Sequence, residues 1–330
     1  MRFGSFAGNA GVKQQLSAFA DSGHFPHALL LEGPTGCGKH TVARLIAQAI
    51  VCTAPGGDIP CGDCAACRKA AAGSHPDILE YSGGATAGSF HIDVIRTIRD
   101  QAYLAPNEAD ARVCLLFHAH TLSASAQNAL LRILEDPPAH LRFILTCESR
   151  SQLLPTIQSR VQCLSLGGVT AEEGLPVLRE QFPDHAEEEL ASALSAFGGC
   201  LGQAIDALSG GDFAQAIDLT ADIAAALLEP TALPLLTLTA RLDRNAPLLD
   251  AVLAGLRLVF RDALCVLSGE PSRLSTAPKQ AEALAAALTG RQLMALLAAA
   301  ESLQTARRRN MNATLLLTLL CSRLYAAAQR

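Results

Sequence analysis

A glycine-rich segment near the start of the chain restricts the possible folds more than any other feature. This segment, Gly33–His40, has the sequence GPTGCGKH and follows a short apolar run, His27–Gly33, that is typical of a buried strand. A helix-like segment from Lys39 to about Cys52 comes directly after it. A strand, a glycine-rich loop with a lysine and a helix, in this order, favour a phosphate-binding P-loop over a simple turn. The predicted phosphate-binding residues are Gly33, Gly36, Gly38 and Lys39.

The residues that hold magnesium beside a P-loop are missing. A Ser or Thr hydroxyl is expected directly after the lysine, but this position is His40, and Thr41 lies one residue later, rotated by about 100° around the helix. An ATPase of this class also needs an acidic pair at the end of the next core strand, where this chain has Phe117 and His118. Neither side chain suits a hard cation. We therefore expect no magnesium coordination and no ATP hydrolysis by this chain, whereas binding of ATP or ADP without turnover stays open.

Strand-like and helix-like segments alternate before Val169. Asp77–Glu80, Val113–Phe117 and Phe143–Thr146 have the composition of further strands, and Ser123–Asp136 has the pattern of a helix. This alternation predicts an α/β domain with a mainly parallel sheet and helices on both faces. After Val169 only helical periodicity is found.

Four of the eleven cysteines are clustered in the sequence. Their spacing is C-x8-C-x2-C-x2-C, and four thiolates are the ligand set of a closed, structural zinc site. His75 is a further candidate, although a lone histidine near a loop is more often simply hydrogen-bonded. The other seven cysteines lie in apolar segments and are predicted to be small buried hydrophobic residues. The predicted zinc ligands are Cys52, Cys61, Cys64 and Cys67.

Composition excludes several classes of protein. Half of the 330 residues are apolar, which favours a packed globular protein, and the net charge of −5 provides no general attraction for nucleic acid. No uninterrupted apolar segment is long enough to cross a bilayer, and the first residues lack the apolar run of a signal peptide. We therefore expect a cytoplasmic protein that does not contact a membrane.

Several separated motifs, found in the expected order, resemble the clamp-loader branch of the AAA+ ATPases. The resemblance is good over about residues 4–210 and weak over the last third of the chain. The motifs that carry it are Pro26-His27-Ala28, the P-loop, the four-cysteine insertion, His75-Pro76-Asp77, Gln127–Leu131, Glu135–Pro138 and Gln158-Ser159-Arg160.

The resemblance implies three domains. An AAA+ P-loop domain with a zinc-binding insertion at about 52–67 is expected over residues 1–166. A small helical lid is expected over 167–211, and an all-α collar, used for oligomerisation, over 212–330. The glycines of Phe197–Gly211 mark the second boundary.

The loss of the magnesium ligands resembles the delta-prime type of clamp-loader subunit of bacterial DNA polymerase III, whose nucleotide site is commonly degenerate. Gly202 stands where active members carry a sensor arginine, which points the same way. Such subunits are stationary partners in a loader that opens a ring-shaped sliding clamp and places it on primed DNA. The resemblance implies a hetero-pentamer with gamma/tau and delta subunits, and no autonomous enzymatic activity. An active gamma/tau-type ATPase and a zinc-bearing P-loop protein that binds nucleic acid directly are the alternatives.

Arg160 is the residue for which the resemblance implies a catalytic role. Ser159-Arg160-Val161 is similar to the Ser-Arg-Cys motif of the family, whose arginine reaches the ATP of a neighbouring subunit. Considered alone, an arginine at this place could instead cap the last carbonyl groups of a helix. Glu135 could have a role at the subunit interface or be an ordinary solvated residue. The run Arg307–Arg309 is predicted to be a solvated face, with contact to DNA phosphates as the alternative.

Overall fold

The computed structural model describes residues 3, 6–54, 59–83, 92–209, 212–243, 245–270, 275–308 and 311–329. The chain divides into two compact units, Met1–Thr170 and Ala171–Arg330.

The first unit is built on a five-stranded sheet. All four neighbouring pairs of strands are parallel, in the order β2-β3-β4-β1-β5. The predicted α/β architecture is therefore confirmed. The strands are β1 (Ala28–Glu32), β2 (Ile78–Ser82), β3 (Arg112–Phe117), β4 (Leu141–Cys147) and β5 (Gln162–Ser165).

The central strands are buried over almost their full length because helices cover the sheet. Every residue of β3 is buried, and so is every residue of β4 except Arg142. Parallel strands covered on both faces read as continuous apolar runs, which is why both were recognisable in the sequence. The sequence did not predict β5. This strand has only four residues, of which only Leu164 is buried, so it lacks a continuous apolar run.

The helices of the first unit begin and end at recognisable residues. The hydroxyl of Ser123 accepts a hydrogen bond from the amide of Ala126 and caps α5. Pro137 and Pro138 follow directly after the C-cap of that helix, Asp136, and prevent its continuation. The helices are α1 (Ala10–Ser22), α2 (Lys39–Ile50), α3 (Ala65–Ala71), α4 (Ile92–Ala102), α5 (Ala124–Glu135) and α6 (Pro155–Gln158).

Every secondary-structure element among the described residues of the second unit is a helix, as the sequence pattern predicts. A large apolar core is formed mainly by alanine and leucine side chains of its last six helices. The division of this unit into a lid and a collar remains a prediction. Its helices are α7 (Ala171–Gln181), α8 (Glu187–Ala196), α9 (Leu201–Ser209), α10 (Asp212–Ala226), α11 (Leu233–Ala240), α12 (Ala246–Leu267), α13 (Pro278–Ala287), α14 (Gly290–Arg308) and α15 (Ala313–Gln329).

Among the described residues, no helix combines the length and the apolar character that a membrane span requires.

Candidate functional site

The P-loop connects β1 to α2 at the carboxyl end of the sheet. Gly36 and Gly38 have φ angles of 79° and 90°, in the left-handed region that favours glycine. At Gly33 a Cβ atom would lie 2.2 Å from the carbonyl oxygen of Leu166, which leaves no room for any side chain. The three glycines predicted to bind phosphate are therefore required by the backbone of this loop, whether or not a nucleotide binds.

Lys39 is almost fully buried in the loop that precedes it. Only 7% of the residue is exposed, and its ammonium group donates hydrogen bonds of 2.7 Å to the carbonyl oxygens of both Gly33 and Pro34. The charge is thus held against the loop by two carbonyl groups. A phosphate group bound here would compete with these two contacts for the same ammonium protons.

Three rings occupy the region where magnesium ligands are expected. The ring of His40 packs on that of Phe117, with the centroids 4.2 Å apart and the planes inclined by 36°. His40 also meets the ring of His118 edge-on, with the centroids 4.8 Å apart. The guanidinium carbon of Arg44 lies 5.3 Å from the centroid of the Phe117 ring. The Nε and Nη2 atoms of the same guanidinium donate to the carboxylate of Glu80 at 2.9 and 2.8 Å. We call His40, Phe117 and His118 the ring cluster.

The ring cluster carries no charge at neutral pH. Burial, with the nearby His118, Lys39 and Arg44, lowers the pKa of His40 to about 4. Burial and Lys39 likewise lower the pKa of His118, although Glu148 opposes this shift. The cluster therefore presents neutral imidazoles and a phenyl ring, whereas Mg²⁺ takes oxygen ligands, mostly carboxylates, phosphates and water.

Neither threonine near the P-loop takes the place of the missing magnesium-binding hydroxyl. Thr41, one residue after His40, is exposed on α2. Thr35, inside the loop, donates a hydrogen bond of 2.8 Å to the carboxylate of Glu148. Glu148, which follows β4, was not singled out from the sequence because an isolated Glu after a strand has no distinctive pattern.

The four clustered cysteines meet at one point next to α2. Their sulfur atoms all lie within 4.8 Å of one another, and those of Cys61 and Cys67 are 3.8 Å apart. A tetrahedron with Zn–S bonds of about 2.3 Å has edges of about 3.8 Å, so this spacing fits zinc. Cys52, Cys61, Cys64 and Cys67 could therefore hold the ion, which would supply a structural cross-link and no open coordination position.

Backbone amides prepare two of these sulfur atoms, those of Cys61 and Cys64, for a metal, whereas burial raises the pKa of the Cys67 thiol. The amides of Asp63 and Cys64 donate to the sulfur of Cys61 at 3.4 and 3.3 Å, and the amide of Cys67 donates to that of Cys64 at 3.3 Å. Burial alone would raise the pKa of Cys64, but hydrogen bonds from the Cys67 and Thr53 amides outweigh it and lower the pKa to about 6. A thiol with this pKa is largely ionised at neutral pH, as a zinc ligand must be.

The cysteine cluster is attached to the P-loop helix. The side-chain amide of Gln48 on α2 donates to the carbonyl oxygen of Cys67 at 3.0 Å. His75 does not belong to the cluster: its Nδ1 accepts a hydrogen bond from the amide of Asp77 at 3.1 Å. This hydrogen bond of His75 stabilises the turn before β2. Of the seven other cysteines, five are buried as predicted, while Cys163 and Cys265 are half-buried.

Arg160 follows α6 and has three partners, all in its own chain. Its Nη2 atom lies 2.8 Å from a carboxylate oxygen of Glu135, at the end of α5. Its Nη1 atom donates to the carbonyl oxygen of Thr156 at 2.9 Å and to the hydroxyl of Ser159 at 3.2 Å. The helix-capping contact weighed from the sequence is thus present, together with an ion pair that the sequence did not reveal.

The remaining candidates belong to the second unit. Gly202 is the second residue of α9. Arg307 forms an ion pair of 3.3 Å with Asp250. The side chain of Arg308 and the whole of Arg309 lie outside the described residues, so the predicted basic run stays a prediction.

The sequence of this chain is similar to those of known DNA polymerase III subunits. A model of the family described as DNA polymerase III, delta subunit, matches residues 8–170. A delta' subunit of DNA polymerase III from Pseudomonas aeruginosa is 34% identical over 175 residues, 52% of this chain and 53% of that protein. Residues 8–170 of this chain belong to the bacterial clamp-loader family. The clamp-loader relatives also include the gamma/tau subunit of Mycobacterium tuberculosis, 37% identical over 48% of this chain and 27% of that protein.

The chain spans about a quarter to a half of the length of these clamp-loader relatives. The fold extends further than the sequence similarity. A solved gamma subunit-related protein of DNA polymerase III from Thermotoga maritima has a TM-score of 0.50 and 16% identity, and the alignment covers 95% of this chain and 99% of that one. At this identity the likeness concerns the fold alone.

Proposed function

We propose that this chain is a delta-prime-like subunit of the replication clamp loader, one that does not hydrolyse ATP itself. The packing of His40 against both Phe117 and His118 carries the proposal. These rings fill the region in which an ATPase of this class places its magnesium-binding hydroxyl and acids. Without those oxygen ligands the metal that neutralises the transferred phosphate has no protein partner there.

In this role the chain contributes parts to an assembly rather than turnover. Arg160 is the arginine that would reach the ATP of a neighbouring subunit, and Lys39 with Gly33, Gly36 and Gly38 keeps the shape of a P-loop. The partners would be gamma/tau and delta subunits in a cytoplasmic hetero-pentamer, with the sliding clamp and primed DNA contacted through that complex. Zinc on the four cysteines would be structural, and a lid at 167–211 and a collar at 212–330 would complete the subunit.

An active gamma/tau-type subunit is the second candidate, because gamma/tau relatives reach 37% identity to this chain. Its chemistry is unfavourable here. A motor would have to bind magnesium through neutral imidazoles at His40 and His118, which are ligands for softer transition metals. Phe117, the third ring of the cluster, offers no ligand atom.

The two candidates differ in the place that the chain can fill in a reconstituted loader. We expect clamp loading onto primed DNA when this chain replaces the delta-prime subunit among its cognate gamma/tau and delta partners. We expect none when it replaces every gamma/tau subunit, because the loader would then lack all magnesium sites. Fluorescent clamp retained on primed DNA measures both exchanges in parallel.

The opposite pattern, loading supported by the chain in the gamma/tau positions, would replace the first candidate by the second. Failure in both positions, with no complex formed on a sizing column, would remove the clamp-loader role altogether. The cognate delta-prime and gamma/tau subunits serve as the matched controls for each position.

A further inference from the structure

Glu135 lies at an unfavourable place for a carboxylate. It is the last residue of α5, where the carbonyl ends of the helix carry partial negative charge, and Asp136 follows it. Acidic side chains are usually placed at the opposite end of a helix, so two in succession here repel each other and the helix dipole. The guanidinium of Arg160, 2.8 Å from the Glu135 carboxylate, offsets this repulsion.

The contacts of Arg160 fix its orientation from two sides. Glu135 holds Nη2, while the Thr156 carbonyl and the Ser159 hydroxyl hold Nη1. A guanidinium is planar and has five N–H groups in a fixed arrangement, so contacts at both terminal nitrogens define its plane. Thr156 and Ser159 belong to the same local segment as Arg160, whereas Glu135 comes from a different helix. The ion pair with Glu135 is therefore the contact that connects Arg160 to α5.

The same pair borders an open depression on the surface of the first unit. This cavity, of about 720 Å³, is lined by His27 before β1, by Glu135 and by Arg160. About a third of the Arg160 side chain is exposed, so the group is held by its own chain yet accessible from outside. An anionic group of a second molecule could approach the arginine from this side without displacing Glu135.

We infer that Glu135 is a positioning residue for Arg160, which it holds in the orientation needed to reach a phosphate on a neighbouring subunit. The inference rests on the proposed clamp-loader function. Glu135 touches no nucleotide; it acts through the arginine alone. An unsupported arginine would sample many rotamers, and only a fraction of them would place the guanidinium on the transferred phosphate.

A surface ion pair of this exposure would by itself matter little for stability. The inference therefore predicts a kinetic effect without a stability effect. In the assembled loader, Glu135→Gln keeps the shape of the side chain but removes the charge. We expect the kcat for ATP hydrolysis at the neighbouring site to fall about 10-fold, with KM for ATP unchanged, since misplacement by about 1 Å can cost up to 10²-fold.

The variants form a set in which each answers one question. Glu135→Asp keeps the charge and should retain most of the turnover. Glu187→Gln removes the partner of Arg179 in another exposed ion pair and should change nothing. In the double variant Glu135→Gln/Arg160→Ala, turnover should equal that of Arg160→Ala alone, because Glu135 has nothing left to position. Loader assembly and thermal midpoint are measured for every variant.

Two kinds of failure are distinguishable. If Arg160→Ala lowers turnover but Glu135→Gln does not, the positioning role is wrong and the proposed function stands. A further loss caused by Glu135→Gln in the Arg160→Ala background would also overturn it, because Glu135 would then act by another route. If Arg160→Ala itself has no effect, the finger assignment in the proposed function fails first.

Discussion

We expect Arg160→Ala to abolish most ATP turnover at the neighbouring site that, in the proposed function, this chain serves in the assembled loader. We expect a loss of about 10³-fold or more at that site, the range found when an arginine supplied in trans is removed from a phosphoryl-transfer site. The guanidinium stabilises charge that develops on the transferred phosphate, so the loss should fall on kcat rather than on KM. Single-turnover hydrolysis, which resolves one site among several, is the measurement.

The control for this substitution has to remove an arginine with similar local contacts. Arg142 lies in the same unit and also donates to backbone carbonyl oxygens, those of Ala139 and Leu141 at 2.7 and 2.8 Å. Arg142→Ala should leave turnover unchanged. Arg160→Lys keeps the charge but not the planar arrangement of donors, and should remain strongly impaired. Equal turnover in wild type and Arg160→Ala, with intact assembly, would show that Arg160 only caps the Thr156 carbonyl.

We expect Cys64→Ser to abolish zinc binding and to destabilise the first unit. The purified wild-type chain should contain about one zinc per chain, because its four sulfur atoms have the spacing of a single tetrahedral site. Structural zinc in small domains contributes about 10–16 kcal/mol of apparent binding free energy. If about a quarter of this supports the folded unit, the thermal midpoint should fall by about 5–16 °C. Elemental analysis and thermal melting test both parts.

Cys321→Ser is the matched control for the zinc prediction. Cys321 is a buried cysteine of α15, outside the cluster, so its substitution tests the loss of a thiol without the loss of a ligand. It should keep one zinc and change stability much less than Cys64→Ser does. A wild-type chain that contains no metal, or a Cys64→Ser variant as stable as the wild type, would contradict a structural zinc site.

The sequence was sufficient for features that depend on neighbouring residues. The P-loop, β1 and α2 follow one another in the chain, so their order alone predicts their geometry. The four cysteines converge as expected. Two C-x2-C steps that share Cys64, the N-cap of α3, bring three of them together locally. The absence of magnesium ligands was visible from residue types alone, since neither His40 nor Phe117 carries a carboxylate or a hydroxyl.

What the sequence could not predict are contacts between distant segments. The packing of His40 on Phe117 joins residues from α2 and β3, and the pair of Glu135 with Arg160 joins α5 to the residue after α6. Such pairs depend on how helices lie against the sheet, and a single sequence contains no direct signal for them. The hydrogen bond from Gln48 to the Cys67 carbonyl, which attaches the cysteine cluster to α2, was hidden for the same reason.

The central claim is that this chain retains a P-loop without the chemistry of an ATPase. The most direct test is ATP hydrolysis by the isolated, full-length chain in the presence of magnesium, beside a cognate gamma/tau subunit as positive control. We predict no phosphate release above that of buffer, because the ring cluster offers magnesium no oxygen ligand. Magnesium-dependent hydrolysis that a Lys39→Ala variant loses would contradict the account and identify the chain as a motor.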